Sequence, residues 1–97
     1  MALSIYWNRR ASNKFDKIAE YLLENWGMES ARKFAYKVYD VIELLKAQPE
    51  IGSLQHLQKN IRGIVIVEQV TLFYKVQNNK IILINFFTNY QDPKKRF

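Results

Sequence analysis

The period of the hydrophobic pattern changes along the chain, and this change predicts a strand followed by a helix. Residues 3–7 alternate and are rich in strand-forming side chains, which predicts a short strand. Beyond residue 8 the apolar positions recur every three or four residues, as on one face of a helix. Asn8 can cap this helix and Gly27 can end it, so we expect it over Arg9–Trp26. Its apolar stripe consists of Ala11, Phe15, Ile18, Ala19, Leu22 and Trp26.

A second helical stripe follows Gly27 and stops before Pro49, which cannot continue a helix. Because the connection at Gly27 is short, we expect the two helices to lie antiparallel as a hairpin. The aromatic side chains Phe15, Trp26 and Phe34 on these stripes are predicted to lie in the core. The second stripe consists of Ala31, Phe34, Ala35, Val38, Ile42 and Leu45.

The last third of the chain has the composition of strands. Residues 49–60 are predicted to form a loop, and three segments rich in β-branched and aromatic residues follow it. Asn78-Asn79 suits a tight hairpin turn because Asn tolerates positive φ, and Glu68-Gln69 marks the hairpin before it. The three strands are expected over Ile61–Glu68, Val70–Gln77 and Lys80–Thr88.

This order of elements predicts an α+β fold for a single domain that comprises residues 1–97. The elements run strand–helix–helix–three strands. We expect the antiparallel helix hairpin to pack on one face of a mostly antiparallel four-stranded sheet, so that the other face is left for a partner.

The composition excludes several kinds of site. The chain has no cysteine, which rules out disulfides and cysteine-ligated metals, and its single histidine, His56, argues against a zinc site. We therefore expect no metal and no cofactor. No apolar run approaches the roughly 20 residues that span a bilayer, so we expect a soluble cytoplasmic protein with no membrane partner.

The net charge of +6 favours an anionic partner, such as nucleic acid, a membrane surface or an acidic protein. Basic residues cluster at Arg9-Arg10, Arg32-Lys33 and Lys94-Lys95-Arg96. These clusters either contact phosphate or an acidic protein surface, or they are solvated charges that aid solubility.

Two pairs of adjacent aromatic residues on the last two strands indicate a binding surface. Phe73 and Tyr74 point to opposite faces of the sheet, as do Phe86 and Phe87. Because the helix hairpin covers only one face, aromatic surface remains for a partner helix or strand. The candidate partner-binding residues are Phe73, Tyr74, Phe86, Phe87, Lys94, Lys95 and Arg96.

Four segments form a pattern that covers nearly the whole chain. The first two are Ile5-Tyr6-Trp7 with the helix that follows, and Gly27 and Ala31 with Leu45, Pro49 and Gly52. The other two are Ile61-Arg62 leading to Leu72–Val76, and the ending Ile82–Lys95. In this order and spacing they resemble the RelE/ParE superfamily of toxins from type II toxin–antitoxin systems. The ending departs from the pattern, because Tyr90 stands where many relatives carry an arginine before Gln-Asp-Pro.

The resemblance implies a growth-inhibiting toxin that a cognate antitoxin neutralises. ParE-like members poison DNA gyrase, whereas RelE-like members cleave messenger RNA in the ribosome, and the shared fold does not assign the target. A homodimer and a toxin–antitoxin hetero-oligomer are both left open.

A RelE-like ribonuclease needs a base, an acid and cations around the scissile phosphate, and it uses no metal. The nearest matches for these catalytic roles are Arg62, Lys75 and Tyr90. We expect Arg62 and Lys75 to approach each other, because the start of one strand lies near the end of its antiparallel neighbour. The alternative is that Arg62 is structural and Lys75 is a solvated edge residue. His56 is either a general base or an exposed loop residue.

The predicted strands lack the dense set of Lys, Arg and His residues that a metal-free ribonuclease would need on its sheet. We therefore expect a ParE-like toxin that binds gyrase and is not itself an enzyme. The alternative is a RelE-like ribosome-dependent endoribonuclease acting on messenger RNA. A further alternative is a non-toxic partner-binding module that kept the fold, which the departure at Tyr90 leaves open.

Overall fold

The computed structural model describes residues 3–88, which form two helices and five strands. The candidate residues Tyr90, Lys94, Lys95 and Arg96 lie outside the described residues. In chain order the elements are β1 (Ser4–Trp7), α1 (Arg9–Trp26), α2 (Met28–Ala47), β2 (Ser53–His56), β3 (Ile61–Val67), β4 (Val70–Gln77) and β5 (Lys80–Thr88).

The helices α1 and α2 pack against each other and are joined by Gly27 alone. At the start of α1, the side-chain Oδ1 of Asn8 accepts a hydrogen bond of 2.8 Å from the backbone N–H of Ala11. At its end, Gly27 has a φ of 95°, a conformation that residues with a side chain rarely adopt. The predicted bounds of α1, and the roles of Asn8 and Gly27 in setting them, are confirmed.

The five strands form one sheet in the order β1-β5-β4-β3-β2. β1 runs parallel to β5, and every other neighbouring pair is antiparallel. The predicted α+β fold with a mostly antiparallel sheet is therefore confirmed. The tight turn between β4 and β5 is confirmed too, because Asn78 and Asn79 both have positive φ values, 54° and 61°.

The sheet of the described residues has five strands, one more than the four expected. The additional strand is β2, which lies within the predicted loop and pairs with the start of β3 at the sheet edge. Its sequence, Ser-Leu-Gln-His, is short, and most of its side chains are exposed. It therefore carries no buried alternating face, which is the signal by which strands are recognised in a sequence.

The helices cover one face of the sheet, which we call the helix face. Phe15 lies at the centre of this layer, with its ring centroid 5.4 Å from those of Trp7 and Phe34 and 6.1 Å from that of Phe86. Trp26 was expected in this core, but it is 67% exposed because it is the last residue of α1. The buried residues of the layer include Ala11, Ile18, Phe34, Val38, Leu45, Ile66, Leu72, Tyr74, Leu83 and Phe86.

A bulge in β5 decides which of its aromatic residues face the helices. Tyr74 pairs with Leu83 and the preceding Phe73 pairs with Asn85, so Ile84 is an extra residue in the ladder. Leu83 and Phe86 therefore both lie on the helix face, although they are three positions apart. Simple alternation along the strand would place them on opposite faces.

Candidate functional site

The side chains of Arg62 and Tyr74 hold the loop between α2 and β2. Tyr74 donates a hydrogen bond of 2.9 Å from its hydroxyl to the carbonyl of Pro49, and the hydroxyl accepts one of 2.9 Å from the N–H of Gly52. The guanidinium of Arg62 donates to the carbonyl oxygens of Gly52 at 2.8 Å and Glu50 at 3.2 Å. A longer contact of 3.7 Å joins Arg62 to the exposed carboxylate of Glu50.

The hydroxyl of Tyr74 lies in a site that fits it closely. Burial raises the pKa of Tyr74, and the hydrogen bond from Gly52 and the nearby charge of Arg62 oppose this rise only in part. A Cβ atom at position 52 would lie 2.6 Å from the Tyr74 hydroxyl and 2.9 Å from the carbonyl of Gly63. Only glycine therefore fits at position 52 while Tyr74 keeps both hydrogen bonds.

Tyr74 and Phe86 were expected to contact a partner, but the structure places both in the core of the helix face. Neither side chain has any exposed surface. Tyr74 is held by the loop, and the ring of Phe86 lies 6.0 Å from that of Trp7 and 6.3 Å from that of Phe34. Neither residue presents a surface that a partner could reach in the folded protein.

Arg62 and Lys75 lie on opposite faces of the sheet, so they do not approach each other as expected. Arg62 is directly opposite Tyr74 in the β3–β4 ladder, and paired residues of this kind point to the same face. Lys75 follows Tyr74 along the strand and therefore points the other way. The structure does not bring the predicted catalytic residues together, and Tyr90 lies outside the described residues.

The face away from the helices, which we call the outer face, carries a small apolar cluster of its own. Ile61, Phe73 and Phe87 form its centre, and Ile84 packs against them. Phe73 and Phe87 are only 4% and 9% exposed. Of the four aromatic residues predicted to bind a partner, Phe73 and Phe87 thus lie on the face without helices, although little of either ring is accessible.

Two grooves adjoin this cluster on the outer face. The first, the cationic groove, has a volume of about 540 Å³ and is lined by Asn8, Gln58, Lys59, Ile61, Lys75, Ile82 and Ile84. The second, the neutral groove, has a volume of about 330 Å³ and is lined by Ser53, Gln55, Gly63, Val65, Glu68, Gln69, Thr71, Phe73 and Phe87.

The two grooves differ in charge. The cationic groove has Lys59 and Lys75 on its walls and isoleucines beside them, and no carboxylate of residues 3–88 lines it. From the same described residues, the neutral groove has one ionisable side chain, Glu68, and no lysine or arginine. The cationic groove therefore suits an anionic group next to aliphatic side chains, whereas the mostly uncharged lining of the neutral groove, with its one carboxylate, disfavours an anion.

His56 has a structural contact in the turn before β3. Its Nδ1 accepts a hydrogen bond of 3.2 Å from the backbone N–H of Lys59. Among residues 3–88, the acidic residues and His56 form no group of three that could hold a metal ion. No helix in this described part is long and apolar enough to cross a membrane.

The sequence did not identify Lys59, although it shares a groove with the candidate Lys75. Lys59 lies in the segment predicted as a loop, and only the fold of residues 57–60 brings it beside the strands. A signal was present in the pattern, because Lys59 comes two residues before a predicted strand and therefore lies near the end of that strand.

This architecture agrees with the sequence comparison. The family described as "ParE toxin of type II toxin-antitoxin system, parDE" matches residues 5–89, nearly the whole chain. The chain therefore belongs to the ParE toxin family, within the RelE/ParE superfamily of type II toxins. Among curated proteins, none matches the sequence.

Solved structures of toxins share the fold at low sequence identity. A chain of the chromosomal ParDE TA system from P. aeruginosa is 18% identical, with a TM-score of 0.75 over 90% of this chain and 96% of that one. The YoeB/ParE toxin from Agrobacterium tumefaciens is 15% identical, with a TM-score of 0.66 over 91% and 100%. A chain of the YoeB-YefM complex from Staphylococcus aureus is 16% identical, with a TM-score of 0.60 over 93% and 100%.

Proposed function

We propose that this toxin inhibits growth by binding DNA gyrase, without being an enzyme itself, and that a cognate antitoxin neutralises it in a protein complex. The observation that supports this proposal is the dispersal of the candidate nuclease residues. The guanidinium of Arg62 is bound to two loop carbonyls on the helix face, while Lys75 lies on the outer face.

Cleavage of RNA without a metal needs a base, an acid and cations around one phosphate. Within residues 3–88, the cationic groove offers two lysines but no carboxylate or histidine, and the neutral groove offers one carboxylate but no cation. A toxin that acts by binding a protein target such as gyrase needs no such set of catalytic groups. The two grooves therefore fit a binding role better than cleavage of RNA.

The experiment is a supercoiling assay with purified gyrase and the purified toxin. We expect inhibition of supercoiling, or accumulation of cleaved DNA in the gyrase complex, that disappears when the antitoxin is added first. Unaffected supercoiling together with no trapped cleavage would contradict the gyrase target. Growth arrest on expression without antitoxin tests the toxin itself, and healthy growth would favour the alternative of a non-toxic partner-binding module.

The RelE-like alternative has one observation in its favour. Lys59 and Lys75 line the same groove, and two ammonium groups can hold a phosphate. The same protein sample should therefore be incubated with ribosomes programmed with messenger RNA. Cleavage in the ribosomal A site together with normal supercoiling would replace the gyrase proposal with ribosome-dependent endoribonuclease activity.

For the antitoxin, we place the contact on the outer face, with an acidic segment in the cationic groove. The lysines supply the charge, and the isoleucines beside them supply apolar surface for aliphatic side chains of the same segment. Phe73 and Phe87 contribute through the neutral groove, which their rings help to line.

The contribution predicted for Lys94, Lys95 and Arg96 remains part of this proposal. An antitoxin partner is also supported by the similar solved structures, because one of them is the YoeB-YefM complex from Staphylococcus aureus.

A further inference from the structure

A stripe on the exposed side of α2 has no role in the fold or in the sites described above. Its positions are separated alternately by three and four residues, which is the spacing of a helix–helix seam. The buried residues of α2, among them Phe34, Val38 and Leu45, lie on the other side of the same helix. The stripe consists of Glu29, Arg32, Tyr36, Tyr39, Glu43 and Lys46.

Two tyrosines occupy the centre of this stripe and are among the most exposed large side chains of the chain. Tyr36 is 64% exposed and Tyr39 is 57% exposed. Tyrosine and arginine are, with tryptophan, the residue types enriched at the energetic centres of protein interfaces. The stripe spans 17 residue steps from Glu29 to Lys46, which corresponds to about 26 Å of helix.

The charges of the stripe are complementary to those of a second copy of the same stripe. An antiparallel copy related by a twofold axis between Lys37 and Val38 places Tyr36 opposite Tyr39 of the second copy. The same axis places Arg32 opposite Glu43, and it places Glu29 opposite Lys46. Every charge of the stripe therefore meets its opposite, and each contact occurs twice because the interface is isologous.

The net charge of the stripe distinguishes a second copy from an acidic partner. Its two acidic and two basic residues cancel, in contrast to the cationic groove on the outer face, whose charged residues among those described are both lysines. An acidic antitoxin gains nothing from a neutral stripe, whereas a self-complementary partner satisfies all four charges. Within one chain Lys46 and Glu43 already form an ion pair of 2.9 Å, so in the dimer these two charges are shared between each other and their counterparts in the second copy.

We infer that α2 is a self-association surface, through which two copies of this toxin pack antiparallel about Tyr36 and Tyr39. The inference is independent of the cellular target. It concerns the helix side of the molecule, so the outer face stays accessible in such a dimer.

The test is sedimentation equilibrium of the full chain, with charge reversals at one pair of facing positions. We expect a monomer–dimer equilibrium in the original protein. Arg32→Glu puts like charges opposite each other at two places, so we expect dimerisation to weaken by at least about tenfold. Glu43→Arg should have the same effect, and the combination of both substitutions should restore dimerisation.

The matched control is Lys33→Glu, which makes the same change of charge at an exposed position of α2 that lies off the stripe. It should leave the dimer intact, and circular dichroism should show that every variant is folded. A chain that stays monomeric up to about 1 mM overturns the inference, as does a dimer that Arg32→Glu does not weaken. Loss of antitoxin binding in Arg32→Glu, with a monomeric toxin, would assign the stripe to the antitoxin instead.

Discussion

Arg62 and Tyr74 lie directly opposite each other on neighbouring strands, and their side chains bind the same loop. Tyr74 uses its hydroxyl as donor to Pro49 and as acceptor from Gly52, while Arg62 donates to the carbonyl of Gly52. The strand pair therefore fixes the chain where it passes from α2 into the sheet. Arg62 matched a catalytic position in the sequence, and its contacts in the fold are those of a structural residue.

The first prediction concerns the hydroxyl of Tyr74. Tyr74→Phe keeps the buried ring but removes both hydrogen bonds to the loop, which leaves the carbonyl of Pro49 and the N–H of Gly52 without this partner. We expect the free energy of unfolding to fall by about 1–3 kcal/mol. Urea denaturation measures the change. Tyr6→Phe, at an exposed position, is the control and should alter stability by less than about 0.5 kcal/mol.

The second prediction concerns stability at alkaline pH. Burial raises the pKa of Tyr74 above the ordinary value of 10.0, so the folded protein keeps this proton at a pH where the unfolded chain releases it. The unfolded state then gains stability as the pH rises, and the free energy of unfolding falls above pH 10.0. Below that pH both states keep the proton, and the contribution of this group to folding is constant.

Denaturation of the original protein and of Tyr74→Phe across this pH range isolates the contribution of Tyr74. The other tyrosines and the lysines titrate in both proteins, so their effects cancel in the difference. We expect the gap in stability between the two proteins to narrow above pH 10.0. A gap that stays constant with pH would show that Tyr74 ionises as readily in the folded protein as in the unfolded chain, and a gap that widens would show that it ionises more readily when folded.

The third prediction concerns the residue that joins the helices. Gly27 has a φ of 95° and a ψ of 173°, a region populated almost only by glycine, and a Cβ atom there would touch nothing within 4 Å. The cost of Gly27→Ala is therefore conformational and should be about 1–3 kcal/mol. Calorimetric or urea unfolding gives the value. Glu24→Ala, an exposed substitution in α1, should be nearly neutral, and equal stability of the two variants would refute the prediction.

The fourth prediction concerns the cationic groove and the antitoxin. Replacement of Lys59 and Lys75 by glutamate reverses the charge of the groove, so we expect antitoxin affinity to fall by at least about tenfold. Titration calorimetry measures it, and the loss should be smaller at high salt because exposed charges are screened. The control is the replacement of both Lys33 and Lys37, on α2, by glutamate. It changes the net charge of the protein by the same amount, but away from the groove. Similar losses in both double variants would mean that overall charge, and not the groove, governs binding.

The helices and most strands were predictable because their signals are local. Asn8 and Gly27 mark the ends of α1 through their own backbone and hydrogen-bonding properties, and the structure confirms both. Asn78 and Asn79 mark a turn for the same reason. The short strand β2 has no such signal, since its pairing with β3 depends on backbone bonds that any sequence can make.

The faces of the sheet could not be assigned from the sequence. Alternation shows that Phe73 and Tyr74 point apart, but it does not tell which of them the helices cover. The bulge at Ile84 then changes the phase of β5, so that Phe86 joins the helix face and Phe87 the outer face. The separation of Arg62 from Lys75 depends instead on the register of β3 and β4, which places Arg62 opposite Tyr74 and so on the other face from Lys75.

The parallel pairing of β1 with β5 has a consequence for when the toxin becomes folded during synthesis. Ser4 is paired with Lys80, so the first strand finds its partner only after almost all of the described chain has been made. Contacts between residues so far apart form late, because a long loop must first be closed. We therefore expect a nascent toxin to stay incompletely folded, and so harmless, until β5 has left the ribosome. The outer face, on which we propose that the antitoxin binds, is complete only from that moment.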